Sequence, residues 1–308
     1  MDLLPPLSPP SSVISSSNSN AVMDSGERNW PDLPRDIVLS IFVKLDLNDL
    51  LTHAYSVCTT WRNISKDPSL YRNISMPNLC SLKAFSDLEM LYRRAIDYSC
   101  GQTVDVSIEF LGTDDLLRHL ANSASHLGRL RLELCYSVTD RGLCEVAEKF
   151  PYLEELDISI SGLSHESLRA IGRCCPRLKT FKFNFKSYRH QGTENDHEAF
   201  AIANSMSGLC HLQLIGNKMT KDGLLAILDR CTQLESLDIR RCYNIDFIAS
   251  LAKRCKEQIK YLHLPYDATD DMSVVSEGDL DRSSVDDYEF SYGSEISQYN
   301  SDDNYYDF

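Results

Sequence analysis

The 308-residue chain is short of positive charge: 31 Lys and Arg stand against 45 Asp and Glu, a formal net charge of -14. It has neither a Lys/Arg-rich tail nor a basic stripe interleaved with aromatics, which argues against a general nucleic-acid binder, because a surface of like sign repels phosphate. No run of about 18 apolar residues occurs, so no membrane-spanning helix is expected. The opening MDLLPPLSPPSSV lacks a positively charged region, and Pro breaks its apolar stretches. No secretory signal is read there, and a reducing compartment, nucleus and/or cytoplasm, is expected. The 11 Cys then stay thiols; none forms a C-x-x-C pair, Cys174 and Cys175 are adjacent, and the eight His are scattered. Neither a metal nor a cofactor is expected from such spacing. G-x-S-x-G, H-E-x-x-H, P-loop and dinucleotide fingerprints are missing as well, so no catalytic residues are assigned and the chain reads as non-enzymatic.

What charge there is sits unevenly. Residues 266–308 hold thirteen acidic side chains and one basic one, Arg282, so the other 265 residues carry only -2. This Ser-, Asp- and Asn-rich segment also carries six Tyr, but few aliphatic residues. It cannot recover its ordering entropy by packing and is expected to be disordered, as are the Pro- and Ser-rich residues 1–27. That leaves 238 residues, 28–265, to fold.

From Trp30 the chain reads WPDLPRDIVLSIFVKLDLNDLLTHAYSVCTTWRNISKDPSLYRNISM. Asp32 and Pro34 form a helix start, with Pro34 supplying the fixed φ that a first turn tolerates. Leu33, Ile37, Ile41, Phe42 and Leu45 then predict one apolar face of one helix ending before Asp46. Asp46 or Asn48 caps a second helix carrying Leu50, Leu51 and Ala54, and Val57, Cys58, Trp61 and Ile64 predict a third before Pro68. Three helices this short bury little alone and lean on a partner or a neighbouring domain.

This segment resembles the F-box, the adaptor-binding module of many ubiquitin-ligase substrate receptors. The resemblance is carried by Leu33-Pro34, the Ile37, Ile41 and Leu45 spacing, Asp49-Leu50, Val57-Cys58-x-x-Trp61-Arg62 and Pro68-x-Leu70. Thr59 stands where the family has a basic residue, and Tyr71 where it has Trp. The resemblance implies that Leu33, Pro34, Ile37, Ile41, Leu45, Val57 and Trp61 contact a Skp1-type adaptor, which joins a cullin and a RING subunit. Read from the residues alone, some of them, Trp61 above all, hold the three helices together.

Residues 127–264 are self-similar. The L-x-x-L-x-L pattern starts at Leu127, Leu153, Leu178, Leu209, Leu234 and Ile259, at intervals of 26, 25, 31, 25 and 25. That is the period of a leucine-rich repeat, a strand followed by a helix, each unit stable only against its neighbours. Helices are predicted after Thr139, Ser164, Thr220 and Asn244, each with a buried stripe behind its cap. TVDVSI from Thr103, followed by DDLLRHLANSA, reads as a degenerate first repeat, and Ser81–Cys100 as a helix that joins the two modules or caps the solenoid. Cys135, Cys174, Cys175, Cys231, Cys242 and Cys255 read as small buried side chains in tight turns.

The expected α/β architecture is therefore a disordered segment (1–27), a three-helix F-box (28–76), a helical linker or cap (77–102), a leucine-rich-repeat solenoid with parallel strands on its concave face (103–265), and an acidic disordered tail (266–308). The repeats resemble the cysteine-containing repeats found behind F-boxes, and the combination resembles plant F-box/leucine-rich-repeat proteins of the SKIP19-like group. This implies the substrate-recognition subunit of a Skp1-cullin-F-box (SCF) ubiquitin ligase. The alternatives are a non-degradative interaction scaffold with weak or no ligase-core binding and, more remotely, an RNA-associated repeat protein.

Strand leucines point inward, so the residues between and after them are expected on the concave face. Those are Arg131 and Glu133, Asp157 and Ser159, Lys182 and Asn184, Gln213 and Ile215, Asp238 and Arg240, then His263, a row of mixed sign suited to a polar, patterned protein partner. The long interval places an insertion at Lys186–Glu198, bringing Tyr188, Arg189, His190 and His197 to the rim as further substrate-binding candidates.

Overall fold

The computed structural model describes residue 30 and residues 33–76, 85–185 and 193–268. The N-terminal segment, the acidic segment beyond Ala268, and Tyr188, Arg189 and His190 lie outside the described residues.

Short apolar strands and capped helices alternate along the chain. The strands are β1 (Asn73–Ser75), β2 (Asp105–Glu109), β3 (Arg129–Glu133), β4 (Glu155–Ser159), β5 (Thr180–Asn184), β6 (His211–Gln213), β7 (Ser236–Asp238) and β8 (Tyr261–His263). They pair in chain order, all parallel, in one eight-stranded sheet. Between successive strands lie α5 (Phe85–Tyr98), α6 (Asp114–Ser123), α7 (Asp140–Ala147), α8 (His165–Cys174), α9 (His197–Ser205), α10 (Lys221–Arg230) and α11 (Ala249–Gln258). Leucines and phenylalanines of the strands meet the helix stripes in a continuous core, where Leu130, Leu132, Leu156, Ile158 and Phe181 are fully buried.

The six strands expected from the leucine pattern are thus joined by two more. β2 is the degenerate repeat. β1 comes from Asn73–Ser75, inside the segment read as F-box, and pairs with β2. The helix expected to join or cap the modules, α5, follows β1 as every other helix follows its strand, and is the helix of a first repeat. Ile74 is the one buried residue of β1, and no L-x-x-L-x-L run surrounds it.

Strands end at left-handed residues, Phe110 (φ 65°), Leu134 (φ 55°), Ile160 (φ 53°), Gly216 (φ 71°) and Arg241 (φ 64°), which turn the chain toward its helix. A side chain in that region costs about 1–2 kcal/mol. Each such residue gains a bond to the next repeat in return: Leu134 N–H donates to Ser159 O at 2.9 Å and Ile160 N–H to Asn184 O at 2.8 Å.

A second set of bonds ties neighbouring helix starts. Asp114 accepts from both the N–H and the hydroxyl of Thr139 (2.8 and 2.7 Å), Asp140 from those of Ser164 (2.8 and 2.8 Å), and Asp196 from those of Thr220 (2.7 and 2.8 Å). Thr139, Ser164 and Thr220 are themselves the expected caps of α7, α8 and α10. Gly142 makes room for this ladder, since a Cβ there would sit 2.0 Å from the Asp114 carboxyl. Between α8 and α9 the aspartate position holds His165, whose ring lies 5.0 Å from that of His197. Asn244, expected to cap α11, donates instead to Lys218 O at 3.0 Å, and Ile248 occupies the cap position.

The cysteines pack as expected and also bond. Cys135, Cys175, Cys231, Cys242 and Cys255 are buried, whereas Cys174 is half-buried. Cys135 Sγ donates to Ile108 O at 3.3 Å and Cys242 Sγ to Leu214 O at 2.9 Å, each reaching the preceding repeat.

Candidate functional site

Two surfaces qualify: an apolar stripe on the N-terminal helices and the outer face of the sheet. The N-terminal module consists of α1 (Arg35–Phe42), a helical run of α2 (Leu47–Asp49), a π turn (Leu50–Ala54) and α3 (Tyr55–Val57), then α4 (Thr59–Ile64) and a 3-10 turn (Pro68–Tyr71). Asp46 caps α2 through its carboxylate, which accepts from Asp49 N–H at 2.8 Å. Cys58 is extended and caps α4, its sulfur accepting from Trp61 N–H at 3.4 Å. Val57 therefore ends the second helical run and is not part of the third helix. Pro34 is the cap of α1, one position before the first turn.

The expected single face of α1 divides. Val38 and Phe42 turn inward and are 1% exposed, and Leu47, Leu50 and Leu51 are buried with them. Ile37 is 48% exposed and Leu45 is exposed as well, while Leu33 and Ile41 are half-buried and Pro34 is open. Val57 is 55% exposed. Trp61 is half-buried, its ring edge-on to Phe42 with centroids 5.2 Å apart and 6.4 Å from Trp30. The module thus holds a small core of its own and leaves Ile37, Leu45 and Val57 uncovered, with Val43 and Trp30 exposed beside them. Tyr71 is fully buried, and its hydroxyl donates to Ser65 O while its own carbonyl accepts from Thr103 Oγ1 at 3.1 Å.

The parallel register aligns the outward residues of the sheet in rows. One runs Asp105, Arg129, Glu155, Thr180, His211, Ser236, Tyr261, and the next Ser107, Arg131, Asp157, Lys182, Gln213, Asp238, His263. The first row was missed from sequence, although a period of two extended one residue toward the strand start finds it. Signs alternate across the strands. Arg129 reaches Asp105 at 2.8 Å and Glu155 at 3.0 Å, Arg131 reaches Asp157 at 3.4 Å, and Lys182 lies 3.7 Å from both Glu155 and Asp157. Ser159 donates to Asp157 at 2.9 Å, and Asn184 bridges Ser159 Oγ (3.1 Å) and Ile215 N–H (3.1 Å).

Not every candidate stands open to a partner. Ile215 is 2% exposed, so it belongs to the core. Asp157 is buried under the two cations that flank it. Arg240 is 4% exposed, forked onto Asp238 at 2.7 Å, and donates to Ala268 O at 2.9 Å. Those two side chains neutralise each other beneath the chain that follows β8. Gln213 and Lys182 are half-buried, and His263, His211 and Tyr261 are exposed. Glu133 faces Glu109 across the register, and its carboxyl is held above the usual range by burial, then by the fields of Glu109 and Asp157, against Arg131. His197 is exposed at the start of α9, beside an open hollow of about 470 Å³ bordered by Thr193, Glu194, Asn195, Asp196 and Lys218. Among the described residues no group of three or more His, Cys, Asp and Glu is arranged to hold a metal ion, and no helix is long and apolar enough to cross a membrane.

Comparison with known proteins agrees with this architecture. The F-box-like family model matches residues 30–77. The chain is 43% identical over 271 residues to the F-box protein SKIP19 of Arabidopsis thaliana, covering 87% of this chain and 88% of that protein. It is 38% identical over 278 residues to putative F-box/LRR-repeat protein 22 of the same plant (88% and 89% covered). Putative F-box/LRR-repeat protein 23, also from Arabidopsis, is 42% identical over 262 residues, 84% of this chain and 58% of that protein. Among solved structures, the tropomodulin C-terminal domain of Caenorhabditis elegans overlaps 47% of this chain and 92% of its own at a TM-score of 0.36 and 16% identity. With relatives this similar along most of its length, the protein belongs to the F-box/leucine-rich-repeat family of SCF-type ubiquitin-ligase substrate receptors.

Proposed function

We propose that the outward stripe of Leu33, Pro34, Ile37, Ile41, Leu45 and Val57, with the outer edge of Trp61, docks on a Skp1-type adaptor, and that the adaptor links the chain to a cullin and a RING subunit. The carrying observation is the split of α1: Val38 and Phe42 complete the internal core, so the exposure of Ile37 and Val57 serves no internal packing. Apolar side chains grouped on one face mark a protein interface. The sheet face then holds a protein substrate through Arg131, Glu133, Lys182, Asn184, Gln213 and His263, together with Arg129, His211 and Tyr261. The receptor does no chemistry itself; it raises the local concentration of substrate near a ubiquitin-charged enzyme. Action in the nucleus or cytoplasm is part of the same proposal.

The test is binding of a purified Skp1-type adaptor to the intact chain and to an Ile37→Ala, Val57→Ala variant. Both side chains lie outside the core, so the variant keeps its melting temperature and loses at least tenfold in affinity. If the intact folded chain fails to bind the adaptor, the non-degradative scaffold takes its place.

A further inference from the structure

Tyr55, on α3, collects three cations. The Arg62 guanidinium carbon lies 5.1 Å from its ring centroid, Lys66 Nζ 5.9 Å and the Arg94 guanidinium carbon 5.9 Å. Arg62 Nε also donates to Tyr55 O at 3.2 Å. Arg62 and Lys66 belong to the F-box segment, whereas Arg94 is on α5 of the first repeat, so the cluster spans the junction of the two modules. Arg62 and Lys66 are exposed, and Arg94 is half-buried. The two other rings with a cation above them, Tyr152 and Tyr261, have one each among the described residues.

No carboxylate among the described residues answers these charges. The ion pairs nearby are Arg35 with Asp67, His53 with Asp49, Arg93 with Glu89 and His119 with Asp97, and none includes Arg62, Lys66 or Arg94. Elsewhere the arginines of the sheet face have carboxylate partners, two for Arg129 and one for Arg131. A ring quadrupole attracts a cation weakly at an exposed site, and three cations around one ring repel one another. An anion placed among them would relieve that repulsion and join the two modules.

We infer that this cluster is the docking site of the chain's own acidic segment, residues 269–308. The segment carries twelve acidic side chains against one basic one, Arg282, and has no lysine. Charge complementarity therefore favours it. Its origin at Ala268, beside β7 and β8, lies across the whole sheet from Tyr55, a breadth of about 34 Å for strands about 4.8 Å apart. Forty residues reach up to about 130 Å when extended, and a tether of this length keeps the acidic groups at high effective concentration. Docked there, the segment staples the first repeat to the F-box and fixes the sheet face relative to the apolar stripe. The sheet face is a poorer host, because its Arg and Lys side chains are already paired and it carries the half-buried carboxylates of Glu109 and Glu133.

Zero-length carbodiimide coupling of the full chain tests this, since it joins an amine to a carboxylate in direct contact. Lys66 is expected to couple to carboxylates of residues 269–308 at least fivefold more than the exposed Lys149 and Lys256 do. That excess should vanish at about 0.5 M salt, where the screening length falls below about 5 Å. It should also vanish in an Arg62→Gln, Arg94→Gln variant that keeps its melting temperature. A mixture of isotopically heavy and light chains separates contacts within one molecule from contacts between two. Lys66 coupling to the segment no more than the other lysines do, or only between heavy and light copies, would overturn the inference. So would an excess unaffected by salt or by the variant.

Discussion

Cys242 donates its thiol hydrogen to the carbonyl oxygen of Leu214 at 2.9 Å, one repeat earlier in the chain. Cys231 reaches Met206 O at 3.7 Å and Cys175 reaches Ala147 O at 3.9 Å in the same sense, so thiols at strand ends and helix ends both point back along the solenoid. Only the protonated thiol can donate, and burial opposes the thiolate.

The first prediction concerns alkali. Burial pushes Cys135, Cys175 and Cys242 up to about 12 and Cys231 up to about 11, from an ordinary value of 9.0. A group whose folded value is raised keeps its full contribution below the unfolded value and loses it as pH rises toward the folded one. The urea midpoint is therefore expected to hold up to about pH 9 and to fall between about pH 9 and pH 11. At neutral pH iodoacetamide should modify the exposed Cys100 and leave these four intact until the chain unfolds.

A second prediction follows from the aspartate ladder. Asp140→Ala removes two charge-assisted bonds from Ser164 and is expected to cost about 1.5–3 kcal/mol. Burial alone would raise the Asp140 carboxyl, but the bonds from Ser164 and Ser167 outweigh it and hold the group below its usual range. With the folded value lowered, the contribution is complete above the unfolded value near 3.8 and disappears as pH falls below it. Urea unfolding of wild type and variant should therefore diverge at neutral pH and converge in acid.

Much of this was legible in the sequence because periodicity reports burial. Leu127, Leu153, Leu178, Leu209, Leu234 and Ile259 announced six strands, and Thr139, Ser164 and Thr220 announced their helices by cap chemistry. β1 stayed hidden because Asn73-Ile74-Ser75 offers one apolar residue to the core. On α1, Ile37 and Val38 are chemically alike, and only the packing of α1 against its neighbours, α4 foremost, decides which turns inward. Arg240 read as a surface charge because nothing local announces that Ala268 returns to cover it. The Asp114–Thr139 pairing was equally silent, since it joins residues one repeat apart.

Tyr71 supplies a third prediction. It stands where the F-box family has Trp, yet it is fully buried and holds Ser65 O through its hydroxyl. Tyr71→Phe leaves that carbonyl unsatisfied in the core, at an expected cost of about 1–3 kcal/mol. Because the side chain is buried against Tyr98 of α5 and is not part of the apolar stripe, adaptor affinity should stay within about twofold once the chain is folded. Chemical denaturation and adaptor titration of the same sample separate the two effects.

Glu133 sets function against stability. Burial, then Glu109 and Asp157, raise its carboxyl above the ordinary 4.5, so the neutral form suits the fold better than the charged one. With the folded value raised, the fold is favoured below pH 4.5 and loses that advantage as pH climbs through the folded value. Glu133→Gln should therefore be more stable than the wild type at neutral pH, and the two should meet below about pH 4. A carboxylate held at such a cost on a solvent-facing row suits a partner that brings a cation to it. Under the proposed function, the same Gln variant should bind its substrate at least fivefold more weakly despite its higher melting temperature. A variant that gained stability and kept its affinity would place substrate recognition elsewhere on the sheet, toward His211, Tyr261 and His263.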